Sequence, residues 1–307
     1  MKGETLMAEQ DITFTSEGLT LTGTVSVPDG IGANEKRPAF IVLHGFGSTR
    51  HAGNVITPCN MLNKLGYVTL RFDFRGCGTS EGPKGRLICM EQVEDTKNGL
   101  TFLQNHPNVD PARIAVAGSS FGAAVAVYTA GTDKRVAACI SASGWGNGAL
   151  KFEGQHGDNY PNFLKMLEEG RTYKAKHGTS MIVSRYDIVP IPEKLRGHVL
   201  KGSIMDMPVD TAQSMFDFTA ENVIADIAPR PTLLLHSAVD SVTPPGQTVR
   251  MYERSAAPTE MHLFSGTDHF MFAEKNQRVH EVVTAWLRDF FPVSGEAAGI
   301  KAMAEHH

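Results

Sequence analysis

The sequence predicts an α/β domain, a mostly parallel sheet of about eight strands with helices on both faces, and three observations predict it. Short continuous apolar runs, PAFIVL at 38–43, YVTLRF at 67–72, RVAACIS at 135–141 and PTLLLH at 231–236, read as strands covered on both sides. Between them lie longer stretches whose apolar residues recur at helical spacing. The third observation is local. RIAVAGSSFG at 113–122 runs from a buried strand into Gly-x-Ser-x-Gly, and the small residues AAVAVYTA follow at once, suited to a helix packed close on a sheet.

Each element has its own signal. Residues 19–27, LTLTGTVSV, alternate apolar and polar and, with 12–15 before them, predict an antiparallel pair at one edge of the sheet. Thr57-Pro58 reads as a helix cap followed by proline at the first helical position, with Gly66 as the stop. Val93, Leu100 and Leu103 share one face of a helix over 87–104, which ends near His106-Pro107. Residues 261–264 supply the last strand. Val279, Val283, Trp286 and Phe290 then line the inner face of a closing helix, stopped by Pro292.

Between Trp145 and Thr219 the rhythm breaks. This stretch holds Pro161, Pro190, Pro192 and Pro208 and no clear buried strand, while 164–174 and 211–218 carry helical patterns. So long a break inside one domain reads as a functional insertion. The organisation expected is a core over 1–145 and 220–292, a cap or lid over 146–219, and a mobile tail over 293–307 ending in His306-His307.

With 307 residues, 41% hydrophobic and 20% charged, the composition is that of a soluble globular protein. A net charge of −4 offers nothing to nucleic acid or to an acidic membrane surface, and no apolar run is long enough to span a bilayer. The polar start MKGETLMAEQD lacks the apolar segment of a secretory signal, so a cytoplasmic location is expected. Cys59, Cys77, Cys89 and Cys139 are scattered and read as free thiols, with no metal site.

A serine hydroxyl attacks only when a base takes its proton, and the two glycines leave room for a turn that lifts Ser120 above the sheet. Gly118-Ser119-Ser120-Phe121-Gly122 resembles the nucleophile elbow of the α/β-hydrolase superfamily. The resemblance covers the whole chain outside the cap. It implies an acid and then a histidine downstream, each in a loop after a strand. His269, in SGTDHF after the last strand, fits the base, and Asp240, in SAVDSVTP directly after PTLLLH, fits the acid. Asp226 stands before that strand and Asp268 has no strand end to place it. The resemblance also implies an oxyanion hole built from the backbone N–H groups of Phe121 and, in His44-Gly45-Phe46-Gly47, of Phe46. His44 and Trp145 are expected near the substrate pocket. Asp73 and Arg75 in DFRGCGTS are expected to hold neighbouring loops.

The cap resembles that of small bacterial esterases, and FRGCGTSEGP resembles dienelactone-hydrolase-like members, although those typically carry Cys rather than Ser at the elbow. The function implied is a serine hydrolase that cleaves a carboxylic ester, with a small-molecule ester substrate and no cofactor. Rivals are a small peptidase or amidase and a thioesterase on the same fold, and a ligand-binding receptor that uses the fold without catalysis. Haloalkane dehalogenases and epoxide hydrolases carry Asp at the elbow and fit poorly. Acyl and alcohol specificity, and whether the chain forms a homo-oligomer, stay open.

Overall fold

The computed structural model describes residues 8–274 and 276–295, together with 297 and 299. Most of the predicted tail, including His306 and His307, therefore lies outside the described residues. The chain runs β1 (Ala8–Ser16), β2 (Leu19–Val27), β3 (Arg37–Leu43), α1 (Gly53–Lys64), β4 (Val68–Phe72), α2 (Cys89–Gln104), β5 (Val109–Ser119), α3 (Phe121–Thr132) and β6 (Val136–Ala142). It continues through α4 (Gly148–His156), α5 (Tyr160–His177), β7 (Ile182–Ser184), α6 (Arg185–Ile188), β8 (Asp206–Pro208) and α7 (Val209–Asp217). The closing elements are β9 (Thr232–Ser237), α8 (Gly246–Arg254), β10 (Thr259–Phe264) and α9 (Gln277–Phe290).

Eight strands form one sheet in the order β1-β2-β4-β3-β5-β6-β9-β10. β2 runs antiparallel to both its neighbours, and every pairing from β4 to β10 is parallel. This is the mostly parallel sheet that the alternating pattern predicts, in the α/β-hydrolase arrangement that the resemblance implies. The continuous apolar runs are continuous because both faces are covered. Along β3, Ala39, Ile41 and Leu43 enter the core on one side while Phe40 and Val42 enter the core on the other. α3 is buried along almost its whole length, and its Ala123, Ala124 and Ala126 let it lie close to the sheet.

One boundary differs from expectation. α1 begins at Gly53, not at Pro58, which sits inside the helix. The N-cap residue, Ala52, makes no side-chain cap, so the true start carries no sequence signal, and Thr57-Pro58 mimics one.

The segment between β6 and β9 folds into α4, α5 and α7 with a two-stranded antiparallel ribbon of β7 and β8. It is tied to the core where Thr211 Oγ1 accepts from the Leu87 N–H and Ser214 Oγ from the Cys89 N–H, both at 2.9 Å. Met207 and Met215 are buried in its interior, and Met205 is exposed. Among the described residues no helix is long and apolar enough to cross a membrane.

Candidate functional site

The turn from β5 into α3 places Ser120 at φ +56° and ψ −115°, a backbone region that L-residues avoid. Its glycine neighbours are there for space. A Cβ on Gly118 would stand 2.2 Å from the Gly122 carbonyl oxygen, and one on Gly122 would stand 2.6 Å from that of Leu43. The Ser120 N–H is held by the Ala142 carbonyl at the end of the neighbouring β6, at 2.8 Å. The strained turn is thereby fixed from the sheet.

His269 follows β10 and Asp240 follows β9. Because those strands are parallel neighbours, both loops emerge at the same edge of the sheet as the elbow. His269 Nε2 lies 2.9 Å from Ser120 Oγ, and His269 Nδ1 lies 2.8 and 3.0 Å from the two oxygens of Asp240. An ionised carboxylate only accepts, so Nδ1 carries the proton and Nε2 is left to receive one from the hydroxyl. The structure brings together three residues that stand 149 positions apart at the extremes.

The Asp240 side chain is buried. Burial pushes its carboxyl up, but His269 and His236 reverse this and hold it well below the ordinary carboxylate range. Its Oδ1 also accepts the N–H groups of Val242 and Thr243, both at 2.8 Å. His236, at the end of β9, was invisible in the sequence. It stands 3.2 Å from Asp240 Oδ2 and 3.0 Å from the Thr243 carbonyl through Nε2, while its Nδ1 meets Thr248 Oγ1 at 2.6 Å. A carbonyl only accepts, so Nε2 donates here. Asp268 serves the neighbouring loops: its Oδ1 takes the Ser241 and His269 N–H groups, and its Oδ2 meets Ser241 Oγ and Lys194.

Phe121 opens α3, so its N–H has no acceptor within the helix. The 44–47 loop passes directly over Ser120, since a Cβ on Gly45 would sit 3.8 Å from Ser120 Cβ. Phe46 and Ser120 line one cleft of about 560 Å³ of empty space, part of it open to solvent. Its far wall comes from the inserted segment, with Arg185, Val189, Ile191 and Val199.

Two expected pocket residues lie elsewhere. His44 is buried, its Nε2 accepting the Phe74 N–H at 3.2 Å and its ring packed edge-on to Phe74. Burial lowers its pKa. Trp145 is buried behind Phe121, with ring centroids 5.8 Å apart. Neither lines this cleft: the His44 ring is spent on Phe74, and the Trp145 ring packs on Phe121, the residue next to Ser120. Asp73 and Arg75 hold loops as expected. Asp73 takes the Arg50 guanidinium and the Arg50 and Thr79 N–H groups, and Arg75 pairs with Asp95 at 2.6 Å and Glu17 at 2.8 Å. All four cysteines are buried and free, and burial pushes the Cys77 thiol up, away from reactivity. Among the described residues no cluster of His, Cys, Asp or Glu is placed to hold a metal ion.

The family model described as serine aminopeptidase, S33, matches residues 34–276. An uncharacterized 31.7 kDa protein of Escherichia coli is 29% identical over 283 residues, covering 89% of this chain and 96% of its own. The thiohydrolase aneE of Aspergillus aculeatus is 34% identical over 131 residues, 42% of this chain and 39% of its own. Among solved structures, the alpha/beta hydrolase GrgF from a Penicillium species superposes with a TM-score of 0.75 at 22% identity, over 92% of this chain and 99% of that one.

Proposed function

The chain belongs to the serine aminopeptidase S33 family of α/β hydrolases, and from that premise we propose that it is a serine hydrolase cleaving carboxylic esters through an acyl-enzyme. The observation that carries this reading is the 2.9 Å approach of His269 Nε2 to Ser120 Oγ, with Asp240 on the opposite ring nitrogen. Ser120 Oγ attacks the ester carbonyl carbon as His269 takes the hydroxyl proton, and the carbonyl oxygen becomes an oxyanion facing the Phe46 and Phe121 amides. Collapse breaks the bond to the alcohol oxygen, which leaves with the proton from His269. Water then attacks the acyl-enzyme and gives its proton to His269. The Oγ–carbon bond breaks, the acid departs, and the proton returns to Ser120. The segment 146–219 acts as a cap, since it supplies the far wall of the cleft.

Intact-mass spectrometry after exposure to a fluorophosphonate, run beside hydrolysis of p-nitrophenyl esters of increasing acyl length, tests the reading. One adduct on the wild type, none on Ser120→Ala, and ester turnover are the expected result. An unlabelled, folded wild type would sink the catalytic reading and bring the binding receptor forward. The thiohydrolase relative favours a second reading, hydrolysis of a thioester by the same steps, so acyl-CoA thioesters belong in the same assay.

A further inference from the structure

The sheet and the loops around it bury three arginines, and each faces a carboxylate. Arg50 pairs with Asp73, Arg71 with Glu9 at 2.9 Å, and Arg75 with Asp95 at 2.6 Å. A fourth buried arginine, Arg185, breaks the pattern. It is 5% exposed, it opens α6 in the inserted segment, and it lines the cleft that holds Ser120 and His269.

Its guanidinium is anchored but not neutralised. Nη2 donates to the Phe46 carbonyl at 2.5 Å and Nη1 to the Ile204 carbonyl at 3.3 Å, and the group lies over the Phe46 ring at 5.1 Å. Of five N–H donors two are thus engaged, and Nε is buried without a partner. Carbonyl dipoles satisfy hydrogen bonds but leave the full charge. Burial presses its pKa down to about 10, and the neighbours that act on its charge are the Tyr186 phenol and the Cys77 thiol, neither of them a carboxylate. Among the described residues, the guanidinium therefore has no carboxylate opposite it. Burying such a charge is costly unless a partner arrives, and the open side of this one is the cleft.

We infer that Arg185 anchors a carboxylate carried on the substrate, so that the enzyme acts on esters bearing an anionic group in preference to neutral ones. The inference rests on the reading of Ser120 as nucleophile. A planar guanidinium, held in place by two carbonyls, presents its remaining donors in the geometry a carboxylate accepts.

The test compares kcat/KM within matched pairs. On the acyl side the pair is mono-p-nitrophenyl adipate and p-nitrophenyl hexanoate. On the alcohol side it is p-acetoxybenzoate and its methyl ester. The wild type is expected to favour the charged member of one pair by about tenfold or more, as a charge-assisted hydrogen bond allows. In Arg185→Met that ratio should fall to about one, and Arg185→Lys should restore part of it. Any loss from a disturbed Phe46 loop affects both members of a pair and cancels in the ratio. The inference is overturned if the wild type favours neither charged member, or if Arg185→Met keeps the preference. Fluorophosphonate labelling of Ser120 in the same samples separates the cases: labelled enzyme without preference fails this inference alone, and unlabelled enzyme fails the catalytic reading beneath it.

Discussion

The Ser120-His269-Asp240 chain and the inserted segment treat buried polar groups in opposite ways. Around Ser120, each oxygen and nitrogen of the Ser120-His269-Asp240 chain has a partner, and the carboxylate at its end has four besides solvent-free packing: the Val242 and Thr243 amides, His236 and His269. In the inserted segment, Lys151 Nζ, His156 Nδ1 and Arg185 Nε are all buried without a hydrogen-bond partner. One region is a closed network held by a parallel sheet. The other accepts burial costs that the fold alone does not require. Closed networks position groups, whereas open ones keep binding capacity or sacrifice stability, and substitution can tell which.

The largest effect should come from opening the closed network. Asp240→Asn keeps the shape but lets the amide donate to Nδ1, which selects the tautomer with the proton on Nε2, where it blocks the serine. Loss of kcat/KM on the order of 10³- to 10⁴-fold with the fold intact is expected in steady-state ester hydrolysis. A loss below tenfold would mean that Asp240 does not set the tautomer. Removing His236 is milder, because Asp240 keeps its two amides and His269. For His236→Phe a fall of about tenfold in kcat is expected, the worth of one hydrogen bond to a charged group, with KM nearly unchanged. An unchanged kcat would make His236 a packing residue only.

This contrast also explains what the sequence could reveal. The elbow was legible because its constraints are local: Gly118 and Gly122 stand where a Cβ would strike backbone, and that demand shows in five consecutive residues. Asp240 and His269 were legible because the order of strands places the loops. The inner strands were legible from burial on both faces, and the edge pair of β1 and β2 from alternation. His236 and Arg185 were not: His236 reads as the end of a buried strand and meets Asp240 only through the turn that follows, and Arg185 is defined by Phe46 across 139 positions. α4 was not read from the sequence, and its Gly148 and Gly154 weaken a helical pattern. Both are glycine for contact reasons: a Cβ at 148 would lie 1.9 Å from the Met215 carbonyl, and one at 154 would lie 2.9 Å from Pro244. His44 and Trp145 were placed near the pocket from their strand ends, a coordinate that fixes the level along the sheet but not the side the ring takes.

The smallest effect on turnover, and a clear one on stability, belongs to Lys151. This α4 side chain is 1% exposed, with Nζ 3.8 Å over the Phe152 ring and 5.3 Å over that of Trp145. Burial pushes its pKa down to about 7, with Cys89 and Asp240 pulling weakly the other way. The unfolded chain keeps the ordinary lysine value near 10.4. Between those values the unfolded state holds a proton that the folded state lacks, so this residue makes stability rise with pH across that window. Below about pH 7 both states hold the proton and the penalty is complete. Lys151→Met removes it while keeping the packing on Phe152 and Trp145. The variant should therefore gain on the order of 2 kcal/mol at pH 7 and below, a gain that shrinks to nothing near pH 10.4. Urea unfolding of both proteins over that pH range measures it. A constant difference across the range would assign the gain to packing, and a less stable variant at pH 7 would mean that the amine has a partner and the inserted segment is as closed as the triad.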